Sequence, residues 1–296
     1  GQWFESIRKR QLYFFLYFLI NFFIWIRKNL IRIILNEYPN VLLNFNKGNF
    51  SSKNRINLIT STDNFWVSKG MHKRWNSYFD CKEINLAIYS NHDVNKFMFD
   101  NYKNKLIYEI YKKSQIPVQK IDIFRICFAL KNGAIWLDLK SEICIKKTLD
   151  LISKPENKNG LLMYELRKID VIKKKEQKNY VSNEFVIHNG FFYLPKNSLF
   201  LNEILNNIEE DYLYFQDVIL SYPKQGMMNL TGPHQFTRSF HKLKSNKPKL
   251  VSQEEISWQY MSKFGEYISL IHSKKHYTSI KNKKIIDSKN LINLKE

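Results

Sequence analysis

Glycine and proline are scarce in this chain, with nine and seven copies among 296 residues. A fibrous or linker-rich protein needs more of both, and no internal repeat accompanies them. In their place, 44% of the residues are hydrophobic and 15% are aromatic. This composition can build a sizeable core and excludes a disordered chain, and the length suits one large domain or two small ones.

Cysteine is also scarce, and its three copies, Cys81, Cys127 and Cys144, show no C-x-x-C spacing. An odd number without that spacing indicates neither a disulfide framework nor a zinc site. Cys127 and Cys144 stand among apolar residues, where cysteine behaves as a small hydrophobe. This usage is more typical of a reducing compartment than of a secretory one.

Several motifs that would assign a function are missing. The chain has no H-E-x-x-H, G-x-S-x-G, Walker or G-x-G-x-x-G pattern, and no helix-turn-helix, zinc-finger, RRM or KH signature. Acidic residues are few, since 27 of them face 47 basic residues and leave a net charge of +20. Such a charge favours an anionic partner, although an AT-biased coding sequence also produces lysines spread along a whole chain. Without a recognition motif we do not expect nucleic acid as the partner.

One long apolar run is present, at Leu12–Ile26, with basic residues at Arg8–Arg10 before it and at Arg27 and Lys28 after it. As a helix it would span about 22 Å, which is short of a bilayer core of about 30 Å. A short-span or monotopic membrane anchor, a helix packed on the protein's own core, and a signal peptide are the three interpretations. We expect membrane association at the cytoplasmic face of a bacterial membrane, with a Golgi type II membrane protein as the alternative.

After a polar linker at 44–54, apolar runs of strand length alternate with helical patterns. The alternation predicts an α/β protein with a mostly parallel sheet. We therefore divide the chain into a hydrophobic and basic helical segment, 1–48, and a folded domain, 49–296. Strands are expected at 55–60, 84–90, 134–137, 161–166 and 184–194, and helices at 94–114, 118–131, 148–152 and 198–214.

The most informative stretch is Lys120–Glu142, which predicts an amphipathic helix, a glycine stop and the apolar strand Ala134–Leu137. Asp138 follows directly, at the carboxyl end of a buried strand, where open α/β sheets bind their ligands. Asp122 and Arg125 lie three residues apart and so share a helix face. Alone they would be a surface ion pair, but their place before this strand indicates a carboxylate and a guanidinium aimed at a sugar phosphate.

Together these residues resemble the D-x-x-R…L…G-G-x-Y-x-D-x-D block of retaining glycosyltransferases. That family includes bacterial capsular polysaccharide sugar transferases, yeast-type initiating mannosyltransferases and, more distantly, glucosylating clostridial toxins. Further family elements follow in order across about 55–279. They are Trp75 in K-R-W-N-S-Y-F, Asn183 in S-N-E-F-V-I-H-N-G, the T-G-P element Thr231-Gly232-Pro233, and H-Y-T-S from His276 to Ser279.

The resemblance implies a GT-A fold, an α/β domain with a mixed, mostly parallel sheet and a donor site at its carboxyl edge. The implied reaction moves a sugar from a UDP- or GDP-linked donor to a glycan or glycolipid acceptor with retention, in surface polysaccharide synthesis. Enzymes of this type rely on the leaving phosphate, so no catalytic base is expected. A catalytically degenerate member that binds a nucleotide-sugar or a glycan is the alternative.

By this resemblance, Asp122 and Arg125 would hold the hydroxyls of the donor sugar, and Asp138 would face the ribose and the metal or diphosphate. Asn183 would line the sugar or acceptor side. The wall near the transferred sugar would come from the T-G-P element. The full donor-binding set is Asp122, Arg125, Thr60, Trp66, Asn183, Thr231, Gly232, Pro233, His276 and Ser279.

Lys140 departs from the pattern, because it stands where the family has the second aspartate of D-x-D. That aspartate ligates a divalent cation, Mn²⁺ or Mg²⁺, and lysine offers no oxygen to one. One aspartate and one lysine sum to zero charge, as two aspartates and a divalent cation do. Lys140 could therefore be a fixed cation that acts with Asp138 in catalysis, the site could be degenerate, or Glu142 could join Asp138 as a metal ligand. No cofactor is firmly expected.

Overall fold

The computed structural model describes residues 41–42, 55–62, 66–67, 69–166, 185–260 and 280–291. The apolar run at 12–26, the linker, Asn183, His276, Ser279 and the side chain of Trp66 lie outside the described residues. Within the described part of the chain, no helix is long and apolar enough to cross a membrane.

The chain divides into two compact units. One comprises Gly1–Leu43 and Phe65–Lys73, and the other comprises Asn44–Asn64 and Arg74–Glu296. In the first unit, strand β1 (Val41–Leu42) pairs antiparallel with β3 (Trp66–Val67). The boundary expected between 48 and 49 stays a prediction.

The remaining strands and the helices have the following bounds. The strands are β2 (Ile56–Ser61), β4 (Ile84–Tyr89), β5 (Ala134–Leu137), β6 (Ser141–Glu142), β7 (Leu161–Glu165), β8 (Val186–Leu194), β9 (Ile219–Leu220), β10 (Lys249–Val251), β11 (Gln259–Tyr260) and β12 (Lys283–Lys284). The helices are α1 (Lys69–Phe79), α2 (Asn91–Tyr102), α3 (Leu106–Lys113), α4 (Pro117–Asn132), α5 (Ile145–Ile152), α6 (Leu199–Phe215), α7 (Pro223–Leu230) and α8 (Pro233–Lys242). Short 3₁₀ turns lie at Pro155–Asn157 and Ser288–Leu291.

Six strands form the central sheet, in the order β10-β7-β8-β5-β2-β4. Strand β8 runs antiparallel to both of its neighbours, and the other pairs are parallel. This arrangement confirms the predicted α/β class and the mixed, mostly parallel sheet. All residues of β4 and β5 are buried, as apolar strands between helical layers should be.

Helix α4 has the expected start and stop, with Pro117 at its first turn and Gly133 just beyond its end. Gly133 has φ of 68°, and an added Cβ would lie 2.9 Å from the backbone nitrogen of Lys196, so only glycine fits there. The sequence predicted an amphipathic helix with one buried face, but residues 122–129 are buried on all sides. Two of these buried residues, Asp122 and Arg125, are charged and must therefore be paired.

The helix expected at 94–114 is two helices, α2 and α3. Val94, Met98 and Tyr102 form one buried stripe, and a continuous helix would next bury 105 or 106. Leu106 is instead exposed and Ile107 is buried, so the apolar face changes phase and the helix is interrupted. Ser90 caps α2, since its hydroxyl and Asp93 form a reciprocal capping box.

Candidate functional site

Arg125 links helix α4 to the carboxyl end of strand β5. Its Nη2 lies 3.0 Å from Asp122 Oδ1, and its Nη1 lies 3.4 Å from Asp138 Oδ1. The same Nη1 donates a 2.5 Å hydrogen bond to the carbonyl oxygen of Asn189 in β8. Asp122 and Arg125 are buried, whereas the side chain of Asp138 is 40% exposed. The guanidinium therefore joins a buried carboxylate to one that a ligand can reach.

Asp122 is the anchor of this cluster. Its Oδ1 accepts from Asn189 Nδ2 at 3.2 Å as well as from Arg125, and its Oδ2 accepts from the Thr231 hydroxyl at 3.2 Å. Burial raises the pKa of Asp122 to about 6, and Asp138 adds to the rise, while Arg125 and the two hydrogen-bond donors oppose it. Burial is the main cause, and Arg125 offsets it only in part.

Trp136 supports the exposed carboxylate from inside the sheet. Its ring is buried in β5, and its Nε1 donates to Asp138 Oδ1 at 2.8 Å. The Arg125 guanidinium carbon lies 4.4 Å from the centroid of the same ring, in cation–π contact. Trp136 thus contacts both charged residues, Asp138 through its indole N–H and Arg125 through its π system.

A large bulge in β8 brings the backbone of that strand into the site. Tyr164 pairs with Ile187 and Leu162 with Phe192, so Met163 of β7 stands opposite the four residues 188–191. On the other side of β8, Asp138 N donates to Gly190 O at 2.9 Å. Bulges redirect side chains and backbone groups near functional sites. This one turns the carbonyls of Asn189 and Gly190 towards Arg125 and Asp138.

Lys140 lies on a tight turn that follows β5. Ser141 N donates to Asp138 O at 2.8 Å and closes the turn, which leaves Lys140 exposed two residues after Asp138. Trp75, buried in α1, donates from Nε1 to Leu139 O at 3.0 Å and fixes the turn from below. Lys140 therefore lies at the carboxyl edge of the sheet, and its role stays a prediction.

Glu142 faces away from this cluster. One of its carboxylate oxygens lies 2.5 Å from Arg74 Nε, and the other accepts from Gln259 Nε2. Across the described residues there is no group of three His, Cys, Asp or Glu side chains arranged to hold a metal ion. With Arg125 beside Asp138, Lys140 on the turn and Glu142 paired to Arg74, the oxygen donors here do not fit a divalent cation.

The T-G-P element contacts Asp122 through Thr231, and its role at the transferred sugar stays a prediction. Thr231 is buried and ends helix α7, and Pro233 opens α8. Gly232 leaves no room for a side chain, since a Cβ would lie 2.9 Å from the Met228 Cα. The junction of two helices therefore delivers the Thr231 hydroxyl to the carboxylate.

Thr60 lies near the carboxyl end of β2, but its side chain is wholly buried. Its hydroxyl has no hydrogen-bond partner within the part of the chain that the structure describes. Trp66 is described only as backbone, in β3, and Asn183, His276 and Ser279 are not among the described residues. The roles given to these five residues stay predictions.

Comparison with known proteins gives a likeness to solved structures alone. No family model matches the chain, and no curated protein matches it. A solved structure described as PaToxG Glycosyltransferase matches over 73% of this chain and 78% of that one, with 14% identity and a TM-score of 0.39. A likeness at that level defines neither a family nor an activity for this chain.

Sequence reasoning missed Asn189, which contributes both its side chain and its carbonyl to the cluster. The signal for it was a glycine inside a strand pattern, at Gly190, because such a glycine indicates a bulge or a close backbone approach. Trp136 stood in the sequence only as part of the apolar strand Ala134–Leu137, and its contacts with Arg125 and Asp138 could not be seen there.

Proposed function

We propose that this chain is a glycosyltransferase that moves a sugar from a nucleotide-sugar to a glycan or glycolipid acceptor with retention of configuration. The observation that carries the proposal is the Arg125 bridge, which joins Asp122 on α4 to Asp138 at the carboxyl edge of β5. This edge is where α/β sheets bind nucleotides, and Asp138 is the member of the bridge that a ligand can reach. The net charge of +20 supports an anionic donor.

The geometry suggests a division of labour between the two aspartates. Asp122 is buried and already accepts three hydrogen bonds, so its main task is to orient Arg125, Asn189 and Thr231. Asp138 is the carboxylate that meets the donor, because Arg125 and Trp136 hold its Oδ1 while much of the side chain stays open to solvent. In this proposal Asp122 supports the donor site from the protein interior, and Asp138 contacts the donor from the solvent side.

Lys140 supplies the positive charge at the departing diphosphate, without a divalent cation. It is exposed on the turn that Asp138 begins, and the turn is closed by its own backbone bond and by Trp75. A fixed cation aimed at the leaving group stabilises the charge that develops there. The acceptor hydroxyl then loses its proton to the leaving phosphate, which needs no further base.

A role in surface polysaccharide synthesis at a membrane belongs to the same proposal. Its support is the apolar run at 12–26 with basic flanks, together with the excess of lysine. An enzyme at the cytoplasmic face of a bacterial membrane meets both nucleotide-sugars and lipid-linked acceptors. A Golgi location is the alternative, and a polar glycan acceptor fits either.

The deciding experiment is thermal unfolding of the full chain with a panel of UDP- and GDP-sugars, with EDTA or with Mn²⁺. A ligand at about 100 times its Kd stabilises the folded state by about 2.7 kcal/mol, which gives a clear rise in Tm. We expect one nucleotide-sugar to raise Tm in EDTA and to be consumed when glycan acceptors are added. The anomeric configuration of the product, by NMR, tests retention.

Each other outcome has a meaning. Stabilisation that requires Mn²⁺ would contradict the metal-free role of Lys140 but keep the transferase. Stabilisation in EDTA without sugar transfer to any acceptor would favour the degenerate, binding-only member. No stabilisation by any nucleotide-sugar would contradict the proposed function altogether.

A further inference from the structure

His188, in the bulge of β8, is partly buried beside the proposed donor site, although neither the sequence nor the proposed function gives it a role. Its Nδ1 accepts a 3.2 Å hydrogen bond from the Gly190 N–H. A ring nitrogen that accepts carries no proton, so the ring is the tautomer with its proton on Nε2. That nitrogen faces Glu165 Oε1 at 3.8 Å.

Two further side chains restrain this pair. Gln253 Nε2 lies 3.4 Å from the same Glu165 oxygen, and the Trp258 ring meets the His188 ring edge-on at 5.1 Å between centroids. Side-chain exposure of His188 is 17% and that of Glu165 is 25%. The imidazole is therefore held from β7, from the segment before β11, and from its own bulge.

The bulge in turn sets the donor site. A Cβ on Gly190 would lie 2.5 Å from His188 Cε1 and 2.8 Å from Asp138 Oδ2, so the imidazole and the carboxylate both press on this glycine. The Gly190 carbonyl accepts from Asp138 N, and the neighbouring Asn189 carbonyl accepts from Arg125 Nη1. A change in the shape of the bulge must therefore move both charged groups.

We propose that His188, held as its Nε2–H tautomer between Gly190 N–H and Glu165, is a positioning residue that fixes Asp138 and Arg125 for sugar transfer. It acts on the reacting groups through the backbone of the bulge. The effect on catalysis rests on the proposed function, whereas the tautomer and its contact with Gly190 do not. A displacement of the order of 1 Å at a reacting group can lower the rate about 100-fold, so a small change in the bulge can lower kcat strongly.

Two substitutions separate a positioning role from a packing role. His188→Asn keeps an oxygen near the place of Nδ1 and can still accept from Gly190, whereas His188→Leu fills similar space with no acceptor. We expect kcat to fall by about 10- to 100-fold in H188L and by less than about fivefold in H188N, with the donor KM changed much less than kcat. His92→Leu, at an exposed histidine on α2, is the matched control and should leave kcat unchanged.

A third variant covers the case in which H188L does not fold. Glu165→Leu removes the oxygen that faces Nε2 but leaves the histidine, and it should lower kcat in the same direction by a smaller factor. Unchanged kcat in E165L, or in a folded H188L, would overturn the proposal. So would H188N if it lost as much kcat as H188L.

The tautomer is measured without any activity. Long-range ¹H–¹⁵N spectra of the ring nitrogens distinguish the two neutral tautomers, and the signal missing from H188N identifies His188 among seven histidines. We expect a protonated Nε2 and an unprotonated Nδ1 at neutral pH. A proton on Nδ1 would overturn the proposal even if the enzyme is active. If no nucleotide-sugar is turned over, the proposed function fails while this spectrum still decides how the bulge is held.

Discussion

Arg125 is the residue on which the site depends, because it makes three different kinds of contact at once. It pairs with two carboxylates, donates to a backbone carbonyl and stacks on an indole. The planar fork of a guanidinium allows all of these together, and the compact ammonium of lysine does not. An arginine-to-lysine change at this position is therefore far from conservative.

We expect Arg125→Lys to lower the free energy of unfolding by about 2–4 kcal/mol, since it leaves the buried Asp122 with incomplete compensation. Nucleotide-sugar binding should be lost in the same variant. Urea unfolding and the Tm shift with the active nucleotide-sugar measure the two effects. Arg55→Lys, at an exposed arginine just before β2, is the control and should change neither; equal losses in both variants would contradict this account.

Lys140 is exposed, so its removal should affect chemistry far more than stability. Lys140→Ala should lower kcat by about 100-fold or more, with the Tm of the free protein within about 1 °C of wild type. Lys140→Asp is the sharper change, because it restores the two-aspartate pattern of the family. Its activity should be low in EDTA and rise with Mn²⁺, and full activity of K140A would remove Lys140 from the mechanism.

Asp122 predicts a pH dependence of stability. Its folded-state pKa, raised to about 6, exceeds the unfolded value of 3.8, so the folded state binds the extra proton between those values. The associated stability is fully present below pH 3.8 and is lost as the pH rises through 6. Between pH 4 and pH 7 wild type should lose about 2–3 kcal/mol relative to Asp122→Asn, which has no carboxylate to ionise. Parallel stability curves for the two proteins would show that Asp122 stays ionised.

At the scale of the element, the bulge of β8 departs most from its sequence expectation. The period of two in 184–194 predicted a plain strand, and both ends of that strand are close to correct. In the middle of β8, the four residues 188–191 lie opposite the single residue Met163 of β7. The bulge that results places the backbone of β8 against Asp138 and Arg125. The hydrophobic period of a strand does not indicate where a bulge lies, and in this sequence only Gly190 indicated one.

Gly190→Ala tests the bulge as a unit. The added methyl would clash with both His188 and Asp138, so we expect a loss of about 1–3 kcal/mol in stability and a large loss of turnover. Gly226→Ala on α7 is the control, since its nearest contact is the flexible end of Leu220. The control should keep the turnover of wild type, and a G190A protein with normal turnover would mean that the bulge adapts without cost.

The interrupted helix 94–114 shows a second limit of local patterns. Both halves are helical, but the buried stripe of α2 does not continue into that of α3. Amphipathicity is detected over a stretch of many residues, and over such a stretch the shift of the buried positions between α2 and α3 is averaged out. By contrast, β5 and the end of α4 were predicted to within a residue, because a glycine stop and an unbroken apolar run are purely local signals.

At the scale of the whole molecule, the charge of +20 and the apolar run at 12–26 together predict a salt-sensitive attachment to anionic membranes. The full chain should sediment with vesicles of phosphatidylcholine and phosphatidylglycerol at low ionic strength, and less at 0.5 M NaCl. Vesicles of phosphatidylcholine alone are the control for the electrostatic part. Binding that ignores both lipid charge and salt would point to the apolar run alone, and no binding at low salt would contradict membrane association.

The sequence by itself determined the α/β class, most element positions and the residues Asp122, Arg125 and Asp138, because these are marked by period, stop signals and spacing. Tertiary structure decided which of those charges is buried, which faces solvent, and that Trp136, Asn189 and His188 belong beside them. The physical reason is that burial and hydrogen bonding join residues far apart in the chain, such as Asp122 and Thr231, which are 109 positions apart. A local pattern records the elements, whereas the pKa of Asp122 and the shape of the bulge arise only when the elements meet.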